Sequence, residues 1–255
     1  MNTLKSGRAT FFKSASILYH NPALWIYTGL IALITTSYTL YCQLTLGTIP
    51  QILDYIEGYL TNSSLVYSYL IFFTASFVLP IFFVAALIYY TAYIVRNEQT
   101  TISASLTHAF KKLPILMLFQ LLSAFITAIF IKGVLPIAIV IPIALIWTAI
   151  SFYLLPILVL YTSNLIEAVM LSIKTFKKTY LAIIGFFLTF LLIMIGISFF
   201  SGLITTLLIK FAIVSNLQMA FLISFSIAFI PVAGILSIIQ TVLLVKTEEN
   251  LPEEL

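Results

Sequence analysis

Six long apolar stretches, none containing Asp, Glu, Lys, Arg or His, leave this chain few ways to fold. They run over roughly 23–45, 65–95, 114–131, 134–161, 181–209 and 218–245. About twenty helical residues cross the ~30 Å hydrocarbon core of a bilayer. Inside lipid every backbone donor and acceptor needs a partner within its own segment, which a helix supplies. The stretches lack strand-like alternation and are far too long for barrel strands, so they are read as helices. Charged residues are 8% of the chain, about a third of the ~25% of a soluble domain. The expectation is an all-α, polytopic membrane protein of six transmembrane helices, with no room for a separate soluble domain.

The charges set the orientation. Lys5, Arg8, Lys13, Arg96, Lys111, Lys112, Lys174, Lys177, Lys178 and Lys246 fall on one side of the six-span topology, and only Lys132 and Lys210 on the other. Basic loops stay cytoplasmic, so both termini are expected there, with 46–64, 132–133 and 210–217 outside. The polar, basic first 22 residues do not read as a cleavable signal. On the outer side, "IPQILDYIEGYL" reads as a short interfacial helix, with Asp54 and Glu57 opposite its apolar face.

The stretch "IEAVMLSIKTFKK" gathers one acid and three lysines at 166–178. Ile166, Val169, Met170, Ile173 and Phe176 recur at helical spacing, with Glu167, Lys174 and Lys178 opposite, which predicts an amphipathic helix along the membrane surface. Its lysines sit where anionic headgroups attract them. Such a helix serves as a topology anchor or as a docking surface for a partner or regulator. The pattern recurs. Phe110-Lys111-Lys112 matches Phe176-Lys177-Lys178, each followed by a span, and "FFKSASILYHNPALW" places His20 and Pro22 where Lys112 and Pro114 fall. "SFVLP", "SFYLLP" and "SIAFIP" place Pro80, Pro156 and Pro231 within spans 2, 4 and 6, each preceded by a serine (Ser76, Ser151, Ser226). The chain is therefore read as three helix hairpins, 1–95, 101–161 and 165–246, each preceded by a cytoplasmic amphipathic surface helix, with an acidic tail over 247–255. Pro80, Pro156 and Pro231 are candidate kinks, because each removes a backbone donor. The serines are placed to relieve the freed carbonyls.

Pro156, Glu167, Ala168, Ser172, Lys177 and Lys178 also carry a resemblance. The segment "LPILVLYTSNLIEAVMLSIKTFKKTYLAIIGF" resembles a motif of uncharacterised bacterial multi-span membrane proteins of the DUF6159 type. More loosely it is similar to Yip-like families and to the membrane domain fused to some glycerophosphodiesterases. The resemblance implies a multi-helix integral membrane domain without established chemistry. No phosphodiesterase domain accompanies it here, so no enzyme activity is carried over.

Proton relays and ion-coupled pumps need ionisable groups inside the membrane, and these spans have none. Intramembrane proteolysis needs paired acids, a serine with a base, or a metal. His20 and His108 stand apart from any second ligand at metal spacing, and the lone Cys42 gives neither a disulfide nor a cysteine cluster. No catalytic residue, cofactor or metal is expected, and no nucleic acid partner. Gln43, Gln120, Ser123, Thr127, Gln240 and Thr241 are neutral polar groups, placed for bonds between helices or for lining a path for a lipid or small amphiphile. The function expected is non-catalytic: a scaffold, assembly or membrane-organising factor of the bacterial inner membrane. Lys111, Lys112, Lys174, Lys177 and Lys178 would contact anionic headgroups or an unidentified protein partner. The alternative is a transporter, channel-like protein or lipid translocator with a neutral polar cavity.

Overall fold

The computed structural model describes residues 4–45, 63–131, 137–210 and 234–248, with side chains over 6–37, 77–126, 142–144, 146–207, 210 and 234–247. These residues form seven helices: α1 (Leu4–His20), α2 (Pro22–Thr45), α3 (Ser63–Val95), α4 (Ile102–Ile131), α5 (Ile137–Leu160), α6 (Leu165–Lys210) and α7 (Ile235–Glu248). Four are long and apolar enough to cross a membrane, or five if the bent pair α1–α2 is one span, and α7 is a shorter apolar helix. Most of the expected sixth span, Pro231, Lys132 and the segment holding Asp54 and Glu57 lie outside the described residues.

Local chemistry explains where the helices stop. At the α1–α2 break the two axes differ by 100°. The Asn21 amide donates to the carbonyl of Ile17 at 2.7 Å, satisfying an orphan acceptor of the last turn of α1. Pro22 then opens α2 at the first helical position, where its missing N–H costs nothing. At the end of α3, Asn97 adopts φ 58°. Its N–H reaches Ile94 O at 3.1 Å while Glu98 N reaches Tyr93 O at 2.9 Å, the paired bonds of a Schellman stop. Thr101 caps α4 through Ala104 N at 3.1 Å.

Asn164 caps α6, accepting from Ile166 N at 3.0 Å and Glu167 N at 3.5 Å. Glu167, three residues past the cap, accepts the Thr162 hydroxyl at 2.6 Å. The single acid of the 166–178 stretch therefore sits in the first turn of a helix, where the helix dipole favours it.

Three helices are buried over consecutive residues, and so on every side, and form the centre. Ala85, Ala86, Leu87 and Ile88 of α3 are all fully buried, as are Tyr153, Leu154, Leu158 and Val159 of α5 and Ile238, Ile239 and Val242 of α7. A helix buried all round must be enclosed by others. Each of α3, α5 and α7 packs against the other two, α4 lies on α3, α6 on α5, and α1 on both α6 and α7. The described bundle is thus three inner helices with α1, α4 and α6 as a collar and α2 packed on α3.

The collar corrects the surface-helix expectation in two respects. In α4 and α6 the amphipathic segment and the span are one continuous helix, of 30 and 46 residues. Nothing in "KKTYLAII" ends a helix, whereas His20-Asn21-Pro22 does. The collar segments also bury small residues against their neighbours: Gly7, Thr10 and Ser14 in α1, Ser105 and Ala109 in α4, Ala168, Ser172 and Thr175 in α6, with Gly7 set against α6 and Ser105 against Tyr27 of α2. Small residues let helix backbones approach closely.

Pro80 and Pro156 lie within unbroken helices, as do Pro114 and Pro142. The serine expectation fails at Pro156. Proline deprives the carbonyl of Phe152, but the Ser151 hydroxyl donates to Thr148 O at 3.3 Å. Ser76 and Ser226 lie outside the described side chains.

Candidate functional site: the basic collar

Polar and basic groups converge where the α3–α4 connection meets the α5–α6 turn. Arg96 donates to the Tyr161 hydroxyl at 3.2 Å, and Lys112 Nζ to Ser163 Oγ at 3.0 Å. His108 Nε2 donates to Val159 O at 2.7 Å, and its ring stacks on Tyr89 with centroids 4.1 Å apart. Val159 carries one of the last four carbonyls of α5, which have no partner within the helix. His108 therefore caps α5 from a neighbouring helix, and Lys112 anchors the turn that follows. His20 serves its own helix, one ring nitrogen lying 2.8 Å from Ser16 O. Among the described residues no three His, Cys, Asp or Glu side chains cluster as a metal site requires.

Buried hydroxyls join the collar to its neighbours. Tyr27 OH and Ser105 Oγ are 2.5 Å apart, tying α2 to α4, and Tyr153 OH lies 2.8 Å from Thr179 Oγ1, tying α5 to α6. Ser172 Oγ donates to the carbonyl of Ile150. The sequence pattern missed these links, because aromatic and small hydroxyl residues at helical spacing look like ordinary apolar and neutral positions. The neutral residues singled out instead are placed otherwise. Thr241 donates within its own helix to Ser237 O at 2.7 Å, and Gln120 and Gln240 are half-buried. Gln43 and Thr127 lie outside the described side chains.

Of the candidate contact lysines, Lys111, Lys174, Lys177 and Lys178 are exposed on the outer side of the collar, while Lys112 is half-buried and engaged with Ser163. Each collar helix sets bulky exposed apolar side chains beside such a cation. Phe12 is 55% exposed next to Lys13, Phe110 is 68% exposed next to Lys111, and Ile166 and Met170 are 72% and 60% exposed along the helix from Lys174. The Arg8 guanidinium carbon lies 5.7 Å from the centroid of the Phe12 ring. Ile166, Met170 and Ile173 point outward, whereas Val169 and Phe176 of the same expected face pack against the core. That face is therefore split between the protein and its surroundings. The arrangement offers cations and apolar anchors at the surface and helix caps beneath them.

No family model, no curated protein and no solved structure matches the chain.

Proposed function

We propose that this is an integral membrane protein of non-catalytic role, a scaffold, assembly or membrane-organising factor acting through its basic helix ends. The observation that carries the reading is the apolar centre of the described residues. Where α3, α5 and α7 meet, apolar side chains from Ala85 to Ile88, Phe152 to Leu154 and Ile238 to Ile239 are buried together. Gln120 and Gln240, which a polar pathway would turn inward, are half-buried, and the strongest polar groups lie on the collar. An apolar centre buried among the described helices suits a structural element better than a polar conduit.

In this reading the chain makes six spans as three hairpins over 1–95, 101–161 and 165–246, with both termini cytoplasmic in a bacterial inner membrane. Two features support the repeat. The second helix of each hairpin (α3, α5, α7) touches the other two. Each also packs on the next collar helix, α3 on α4, α5 on α6, and α7 back on α1. The basic bias of the expected cytoplasmic segments supports the orientation.

Extraction in a mild detergent, followed by identification of co-purifying lipids and proteins, tests the role. A lipid or protein retained in fixed ratio is the expected result. Protein-dependent flux of a small solute, or of lipid between leaflets, in reconstituted vesicles would replace the scaffold with a transporter.

A further inference from the structure

We propose that the outer faces of α1, α4 and α6 together form a belt for anionic lipid, at the level where the phosphate layer of one leaflet meets the bundle. The inference rests on the membrane-embedded reading and names the partner of the same basic helix ends.

On α6 the buried stripe Ala168, Ser172, Thr175 and Thr179 marks the side facing α5. Successive helical residues turn by about 100°, so the opposite side presents Ile166, Met170 and Ile173 with Lys174 and Lys177 among them. Glu167, the acid of this segment, is held at the cap by the Thr162 hydroxyl. The same combination recurs as Phe12 with Arg8 and Lys13 on α1, and as Phe110 with Lys111 on α4.

Two arguments select a bilayer surface as the occupant. The first is distribution. The three patches stand on helices packed against different inner helices, α1 on α7, α4 on α3 and α6 on α5, so they are spread around the bundle. A protein with one binding face covers one patch, whereas a leaflet surrounding the bundle meets all three. The second is chemistry. Side chains such as Met170 and Phe110 fit the boundary between headgroups and acyl chains, while neighbouring lysines extend flexible stems toward phosphate. Each lysine near an anionic surface contributes about a fivefold preference.

The test uses the full chain in vesicles of phosphatidylcholine alone or mixed with phosphatidylglycerol. Bimane is placed singly at Phe12→Cys, Phe110→Cys and Met170→Cys in a Cys42→Ser background. All three labels should be quenched by lipids spin-labelled near the headgroup. Wild-type protein should retain phosphatidylglycerol over phosphatidylcholine in native mass spectra, and Lys111→Gln/Lys174→Gln/Lys177→Gln should lose that preference at least fivefold. Quenching of the residue-170 label by aqueous iodide but not by spin-labelled lipid would overturn the belt and mark that face as open to a soluble protein. Equal retention of the two lipids by wild type would also overturn it, with no variant needed. Solute flux in the same vesicles would sink the scaffold reading while leaving these outcomes intact, so the two failures are separable.

Discussion

A Cβ placed on Gly7 would lie 2.6 Å from the backbone nitrogen of Phe186. The carbonyl of Ala182 and the carbonyl carbon of Gly185 crowd the same spot, the latter at 2.9 Å, so what stands in the way is helix backbone, which cannot rotate aside. Phe11 stacks on Phe186 beside it, with centroids 6.4 Å apart. Gly7→Ala should therefore push α1 from α6 and cost about 1–3 kcal/mol, the usual penalty of overpacking. Gly29→Ala is the control. Nothing lies within 4 Å of its Cβ position, so better helix propensity should make it neutral or stabilising by up to about 1 kcal/mol. Thermal melts in detergent check both, and equal melting temperatures for the two variants would remove the close crossing from the account.

The Tyr153–Thr179 bond predicts an asymmetry. Thr179 also donates to Thr175 O at 2.9 Å, so its hydroxyl accepts from Tyr153. Tyr153→Phe leaves Thr179 still bonded and should cost about 0.5–1.5 kcal/mol. Thr179→Ala strands a fully buried tyrosine hydroxyl and should cost more, about 1–3 kcal/mol. Thr179→Ser should restore the bond. The order of stabilities by detergent or thermal unfolding decides it, and a more harmful Tyr153→Phe would reverse the donor assignment.

Helix extents were largely legible because long apolar runs admit little else. The sequence suggests 23–45, and α2 covers Pro22–Thr45; it suggests 65–95, and α3 covers Ser63–Val95. The collar was not legible, because periodicity reports which side of a helix is apolar and not what that side meets. Ala168, Ser172 and Thr175 look neutral in a pattern, yet they form the packed stripe, since small side chains admit a close neighbour. Ile166 and Met170 share one expected apolar face with Val169 and Phe176, yet the first two are exposed and the last two pack against the core. Links such as His108 to Val159 O join residues 51 positions apart, and no local pattern encodes them.

The proposed orientation of the chain rests on its lysines. Exchanging Lys111, Lys177 or Lys178 singly for glutamine should change little, because each is exposed. Lys112→Gln should cost somewhat more, because Lys112 also holds Ser163. Replacing Lys111, Lys112, Lys177 and Lys178 together with glutamate reverses the cytoplasmic signal and should impair insertion or lower abundance. Single-cysteine labelling in a Cys42-free background reads the result, with residue 57 expected outside and residue 174 inside. Wild-type-like topology and abundance in the quadruple variant would leave the anchoring role without support.

The bend at Asn21 separates local sequence from packing. α4 and α6 each continue from collar to span as one helix, while α1 and α2 meet at 100°. Asn21 and Pro22 favour a break, but α1 is also held by the Gly7 crossing and the Phe11–Phe186 stack. Spin labels at the exposed positions 12 and 33 report the angle. At a rise of about 1.5 Å per residue, the bent arrangement puts the two backbones about 20 Å apart and a continuous helix about 32 Å. Asn21→Ala/Pro22→Ala removes the side-chain bond to Ile17 and the proline, costing about 0.5–1.5 kcal/mol for the bond, and should still give the shorter distance because α1 stays docked. Adding Gly7→Val should undock α1 and move the distribution toward the longer one. If the double variant alone lengthens the distance, the break is set locally, and the packing of α1 on α6 and α7 follows from it instead of holding it.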